Sequence, residues 1–135
     1  MLRFIAPSLA LLLALPLATQ AASLKDVELT QTLQKVAQQS SVGTPRAIDE
    51  DILDQGFTVQ GNELINHLSV RAGQAEKMRT EPKAVYLQLG ASVCRNKGFR
   101  NLMALGAVMR YDLTEYKTNR AIATHRYTAA DCGKK

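Results

Sequence analysis

Apolar residues recur along the chain with two periods, and the changes of period divide it into elements. Leu29, Leu33, Val36 and Ala37 share the spacing of one helix face. Two later regions alternate apolar and polar residues in paired runs, which is typical of β-hairpins. The predicted elements are a helix over 23–42, a hairpin over 46–71, helical turns over 72–80, a helix from 80–82 to about 96, one or two helical turns ending at 106, and a hairpin over 107–130.

Turn and cap residues mark the boundaries between these elements. Ser23 is the expected N-cap of the first helix, and Gly43-Thr44-Pro45 ends it. Gly61-Asn62 and Thr118-Asn119-Arg120 are the expected hairpin turns. Lys97-Gly98 is expected to break the central helical region.

Hairpins on both sides of a helical region indicate the α+β class. We expect an antiparallel sheet of about four strands, made from the two hairpins, with the helices packed on one face. The periodicity leaves the order and pairing of the hairpins within that sheet open.

The first 21 residues have the layout of a secretory signal peptide. Arg3 precedes an apolar run that is interrupted by prolines and is shorter than the roughly 20 residues of a spanning helix. Small residues place the cleavage site after Ala21, and no cysteine there offers a site for lipid attachment. Residues 22–135 are then a single exported domain, secreted or periplasmic, without a membrane span.

The exported domain contains two cysteines, Cys94 and Cys132. An even number in an oxidising compartment favours a disulfide. The alternative, a redox-active pair, is disfavoured because the chain lacks the Cys-x-x-Cys spacing. The disulfide would join the end of the central helix to the residues after the second hairpin.

The chain is basic, with 17 lysines and arginines against 12 acidic residues and a net charge of +5. Positive residues cluster beside the two cysteines, and they are Arg95, Lys97, Arg100, Lys134 and Lys135. The disulfide would bring them to one end of the domain, where they could meet an anionic envelope or host surface or an acidic protein face. An ordinary solvated tail is the alternative. Nucleic acid is not expected, because aromatic residues are not interleaved with these charges.

Acidic residues also cluster, before and within the first strand, at Asp49, Glu50, Asp51 and Asp54. Paired carboxylates can perform glycosidic acid–base chemistry. They can equally keep an exposed strand from pairing with other chains. We favour the second interpretation, because no apolar cleft feature accompanies the acids.

The two histidines, His67 and His125, both lie in predicted strands. A zinc site needs more ligands, and a catalytic triad needs a positioned nucleophile, which the chain does not offer. No glycine-rich phosphate loop follows a strand. We therefore expect no cofactor, no metal and no enzymatic activity.

Several stretches, together with the positions of Cys94 and Cys132, resemble the quorum-sensing-regulated virulence factor family of small secreted Gram-negative proteins. The stretches are residues 22–30, 41–62, 64–71 and 113–119. The resemblance implies an exported α+β domain with a role in virulence, and it supplies no catalytic residues. The chain is also loosely similar to small periplasmic pilotin-like proteins, although it lacks the cysteine on which most pilotins are lipidated.

The sequence thus predicts a non-enzymatic interaction protein of the periplasm or the exterior, which binds through its charged ends or an exposed sheet edge. Two alternatives remain at this point: a pilotin-like assembly factor for a secretion system, and an unrecognised hydrolase of envelope polymers. The sequence names neither the partner nor the oligomeric state.

Overall fold

The computed structural model describes the backbone of residues 17–133 and the side chains of residues 24–133. The predicted hairpins and helices are all present. The elements are α1 Leu17–Ser40, β1 Arg46–Ala47, β2 Ile52–Gln60, β3 Glu63–Val70, α2 Ala72–Thr80, α3 Pro82–Arg95, α4 Lys97–Ala104, β4 Val108–Glu115, β5 Ala121–Tyr127 and α5 Ala129–Cys132. Within the described residues, no helix is long and apolar enough to cross a bilayer.

The sheet differs from the prediction, because it has five strands in the order β1-β2-β3-β4-β5 and is mixed. The two hairpins join through β3 and β4, which run parallel, with Leu64 opposite Met109 and Leu68 opposite Leu113. The expectation of four antiparallel strands was therefore wrong. The chain between β3 and β4 forms α2, α3 and α4, a crossover long enough to return it to the end of the sheet where β3 began.

The helices cover one face of this sheet, as predicted. The main buried cluster joins Leu33 of α1 and Val93 of α3 to Leu64, Met109 and Tyr127 of the sheet. In the sheet register, Leu64 and Tyr127 both lie opposite Met109, so these three side chains share a face. The core therefore lies between that face and the helices.

One helix start differs from the prediction. Helix α1 begins at Leu17, so Ser23 lies inside it and is not its N-cap; the preceding Leu-Ala-Thr-Gln-Ala-Ala segment consists mostly of good helix formers. The predicted break of the central helical region is present one residue earlier than expected, at the extended Asn96, and Lys97-Gly98 opens the following helix α4. Asn96 accepts a hydrogen bond from Phe99 N at 3.0 Å and caps α4. The predicted start of α3 is confirmed, with Pro82 in its first turn.

A buried carboxylate holds the irregular part of β2. The register shifts between Asp54 and Phe57, and Gly56 has a φ of +109°, which suits glycine. Asp54 Oδ1 accepts hydrogen bonds from Gly56 N and Asn66 Nδ2, both at 2.9 Å. Ser41, just after α1, accepts from Phe57 N at 2.8 Å. This bulge therefore connects β2 to β3 and to the end of α1.

The predicted disulfide is confirmed. Cys94 in α3 is bonded to Cys132 in α5, with their Cα atoms 5.4 Å apart, and no cysteine of the described chain is free. The bond fastens the last described turn of the chain to the helical crossover.

Replacing Asp54 by Ala is expected to lower the free energy of unfolding by about 1–3 kcal/mol, because it leaves Asn66 and the Gly56 amide without their buried acceptor. Chemical denaturation measures the loss. Glu50→Ala, which removes the same charge from an exposed loop, is the matched control and should change stability by less than about 0.5 kcal/mol. Equal losses in the two variants would contradict the structural role of Asp54.

Replacing both Cys94 and Cys132 by Ala is expected to destabilise the protein by roughly 4 kcal/mol, because the bond closes a loop between residues that are 38 apart. Reductant should lower the melting temperature of the wild type to about that of the double variant. The double variant itself should not respond to reductant. A wild-type protein whose melting temperature is unchanged by full reduction would refute this expectation.

Candidate functional site: the groove beside β5

The outer edge of the sheet at β5 carries no further strand in the described part of the chain. Strand β5 spans Ala121–Tyr127 and pairs with β4 on its inner side. At the start of the outer edge, Arg79 Nη2 donates to the carbonyl oxygen of Ala121 at 3.3 Å. An unpaired edge of this kind presents backbone donors and acceptors to a partner.

A groove of about 410 Å³ lies at the C-terminal end of this edge, between α3 on one side and Tyr127 of β5 with α5 on the other. Its lining residues are Tyr86, Leu87, Gly90, Ala91, Cys94, Tyr127, Asp131 and Cys132. Leu87 is 58% exposed, a large fraction for a leucine, and it forms part of the α3 wall. The groove therefore combines an apolar wall with a free strand edge.

Aromatic packing fixes the floor of the groove. Tyr127 is buried, stacks on Tyr86 with ring centroids 4.9 Å apart, and donates from its hydroxyl to Tyr86 O at 2.6 Å. A Cβ on Gly90 would come within 2.9 Å of the Tyr127 ring, so this close approach requires glycine. Burial, followed by the charge of Asp131, raises the pKa of Tyr86. The floor is therefore formed by two stacked aromatic rings that a hydrogen bond also joins.

The sequence analysis did not identify these floor residues. Tyr86 and Gly90 are four residues apart, and this spacing places them on one face of α3. This spacing is the feature of the sequence that could have indicated the groove. A tyrosine four residues before a glycine in a helix, however, more often indicates ordinary core packing.

The structure describes three of the five residues of the predicted basic cluster. Arg95, Lys97 and Arg100 are exposed, and Arg95 directly follows Cys94, which lines the groove. We call these three residues the basic end. Lys134 and Lys135 lie outside the described residues. No ion pair within the described residues involves the basic end.

The four acidic residues do not converge on one site. Asp54 is 6% exposed and points into the helix-covered face. Asp49, Glu50 and Asp51 line a separate cavity of about 180 Å³ together with Arg71. Arg71 Nε donates to the carbonyl oxygen of Glu50 at 2.8 Å. Asp54 therefore does not form a carboxylate pair with the three loop acids.

The two histidines lie on opposite faces of the sheet. His67 is on the face without helices, with Nε2 2.6 Å from the Thr58 hydroxyl. His125 is on the helix-covered face, with its ring 5.6 Å from that of Tyr86. Over the residues that the structure describes, no group of three or more potential ligands could hold a metal ion.

The face of the sheet without helices is charged, but its charges are paired. Arg110 contacts Glu63 and Asp112, each at 2.8 Å, and Arg126 contacts Glu63 at 2.7 Å. Burial alone would raise the pKa of Glu63, but the hydrogen bonds from Arg110 and Arg126 lower it. This face thus differs from the basic end, whose cations have no such partners in the described chain.

His125 is expected to make stability depend on pH. Its Nε2 is buried without a hydrogen-bond partner among the described residues, and burial lowers its pKa below the ordinary value of 6.5. Below pH 6.5 the His125 imidazole binds a proton in the unfolded chain but stays neutral in the folded chain. The contribution of His125 to the free energy of unfolding should therefore be constant above pH 6.5 and should decrease as the pH falls towards the lowered pKa. His125→Gln should remove this slope in denaturation measured from pH 7.5 to 5, whereas His67→Gln should retain it. The same slope in both variants would assign the effect to other groups.

Residues 22–133 match the family model described as "Putative quorum-sensing-regulated virulence factor". No protein of curated function matches the chain. A crystal structure of a "putative secreted protein" from Pseudomonas aeruginosa is 63% identical, with a TM-score of 0.79, and the match covers 81% of this chain and 96% of that one.

Two structures of type II secretion pilotins have the same fold at low identity. EpsS from Vibrio vulnificus is 16% identical with a TM-score of 0.72, over 84% of this chain and 99% of that one. AspS from Vibrio cholerae is 15% identical with a TM-score of 0.62, over 83% and 99%. These likenesses concern the fold alone. Because the family model covers residues 22–133, most of the chain, the chain belongs to the quorum-sensing-regulated virulence factor family.

Proposed function

We propose that this protein is an exported, non-enzymatic binding protein that holds an extended segment of a partner protein along β5. The observation that carries the proposal is the unpaired edge of β5, seven residues long, next to the apolar groove. An extended peptide can add a strand to such an edge through backbone hydrogen bonds. Its alternate side chains then point to one face, and the groove lies on that face.

The opposite edge of the sheet is less suitable. Strand β1 has only two residues, and the Ser41 side chain makes hydrogen bonds with both the amide and the carbonyl oxygen of Phe57 in β2. Thr30 of α1 also donates to Gly61 O at 3.1 Å, just after β2. Contacts from the protein's own chain therefore occupy the β2 side, whereas β5 offers a longer run.

Export is supported from two directions. The family match begins at residue 22, next to the cleavage site expected after Ala21. The Pseudomonas aeruginosa protein of similar sequence is described as a "putative secreted protein". We place the protein in the periplasm or outside the cell, where the disulfide is stable.

A second candidate is a pilotin-like assembly factor for a secretion system, which the shared fold of the two Vibrio pilotins favours. In this version the segment bound along β5 belongs to a component of the secretion machinery. The expected leader has no cysteine for lipid attachment, so such a factor would work without a lipid anchor of its own. The identity of the partner separates the two candidates.

Site-specific photo-cross-linking in the producing bacterium tests the proposal. A photoreactive residue at Ala91, in the groove wall, should give a discrete cross-linked adduct with one partner protein. The same residue at His67, on the opposite face of the sheet, is the positional control and should give none. A secretion-system component in the adduct would favour the pilotin-like candidate.

Leu87→Arg should lower the yield of the Ala91 adduct at least tenfold, because it places a charge in the apolar wall. Leu105→Arg changes another exposed leucine, 69% accessible and outside the groove, and should leave the yield unchanged. No adduct at Ala91, or equal effects of the two substitutions, would refute the proposed binding mode.

A further inference from the structure

The charges around the groove are strongly asymmetric. The groove contains one carboxylate, that of Asp131, and this group is already engaged. Its Oδ2 accepts from Thr128 N at 2.7 Å, and its Oδ1 accepts from the Tyr86 hydroxyl at 3.4 Å. The nearby basic end, in contrast, has three exposed cations without an ion-pair partner in the described chain.

The basic end lies at one defined end of the groove. Helix α3 runs along the groove from Tyr86 to Cys94, and Arg95 is its last residue. Lys97 and Arg100 follow in the first turn of α4, which contains no acidic residue. Cations near the positive end of a helix are locally unfavourable, so the stability of α4 does not account for them.

We propose that the partner segment is acidic at one end: it is an extended peptide whose apolar side chains enter the groove and whose aspartates or glutamates lie over the basic end. This inference rests on the proposed function and adds the chemistry of the bound segment. Carboxylates placed there would pair with cations that lack partners and would also fix the direction of the bound strand.

Selection from a phage-displayed library of random twelve-residue peptides tests the inference. The target is the protein expressed with its own leader and purified from the cell envelope or the medium. Wild-type protein should enrich peptides that alternate apolar and other residues and that carry Asp or Glu at one consistent end. Binding of a selected peptide should weaken as salt concentration rises, because the ion pairs are exposed.

Charge reversal at the basic end provides the decisive variant. The triple variant carries Arg95→Glu, Lys97→Glu and Arg100→Glu. It should bind an acidic peptide selected on the wild type at least tenfold more weakly. In a selection of its own, it should enrich peptides with Lys or Arg at the same end. Replacing the same three residues by Gln should abolish the charge preference without reversing it. The matched control reverses three exposed lysines outside the groove, Lys25, Lys35 and Lys77, and should reproduce the wild-type selection.

The possible failures are distinguishable. Two outcomes would refute the proposed acidic end of the partner segment but not strand addition at β5. In the first, the wild type enriches alternating peptides without a charge preference. In the second, the charge-reversal variant selects the same peptides as the wild type. Wild-type selection of basic peptides would also refute the acidic end. If no peptide depends on Leu87 for binding, the proposed function itself fails. Thermal melting checks that every variant is folded.

Discussion

The parallel pairing of β3 with β4 is the constraint on which the rest of the structure depends. It joins two local hairpins into one sheet, and it forces the chain between them to cross from one end of the sheet to the other. The crossover forms α2, α3 and α4, whose apolar residues cover one face of the sheet together with α1. Leu64 and Leu68, on β3, pack between these layers because β3 is the central strand of the sheet.

The same pairing creates the candidate site. With β3 and β4 inside the sheet, β5 becomes the far edge and α3 lies beside it. The Cys94–Cys132 bond then fastens α5 against α3 at one end of the groove, and the Tyr86–Tyr127 stack closes its floor. The groove is thus bounded by a covalent bond and by stacked aromatic rings, an arrangement that would keep low the entropy lost on binding of the proposed partner segment.

The surfaces of the sheet differ in how their charges are satisfied. On the face without helices, Glu63 and Asp112 neutralise Arg110 and Arg126 within the protein. Near the groove, the carboxylate of Asp131 is used in a helix cap, and the cations of the basic end remain exposed. This distribution distinguishes a surface whose charges are satisfied within the fold from one whose charges are available to a partner.

Much of this architecture could be predicted from the sequence, because it depends on local periodicity. The spacing of Leu29 and Leu33, the alternation within each hairpin and the Gly61-Asn62 turn indicated the main elements, and the expected export signal together with the parity of the cysteines indicated the disulfide. The sequence did not predict the start of α1, the role of Asn96 as a cap, or strand β1. Each of these depends on a small difference in free energy between alternative helix caps or strand pairings.

The sequence by itself therefore determined the two hairpins, the main helices and the covalent link between Cys94 and Cys132. Only the tertiary structure decided that the hairpins meet in parallel, that Asp54 is buried away from the other acids, and that Gly90 admits the ring of Tyr127 to form a groove. The reason is physical: periodicity reports interactions between residues a few positions apart. Strand pairing and groove shape depend on packing free energy between segments that are tens of residues apart.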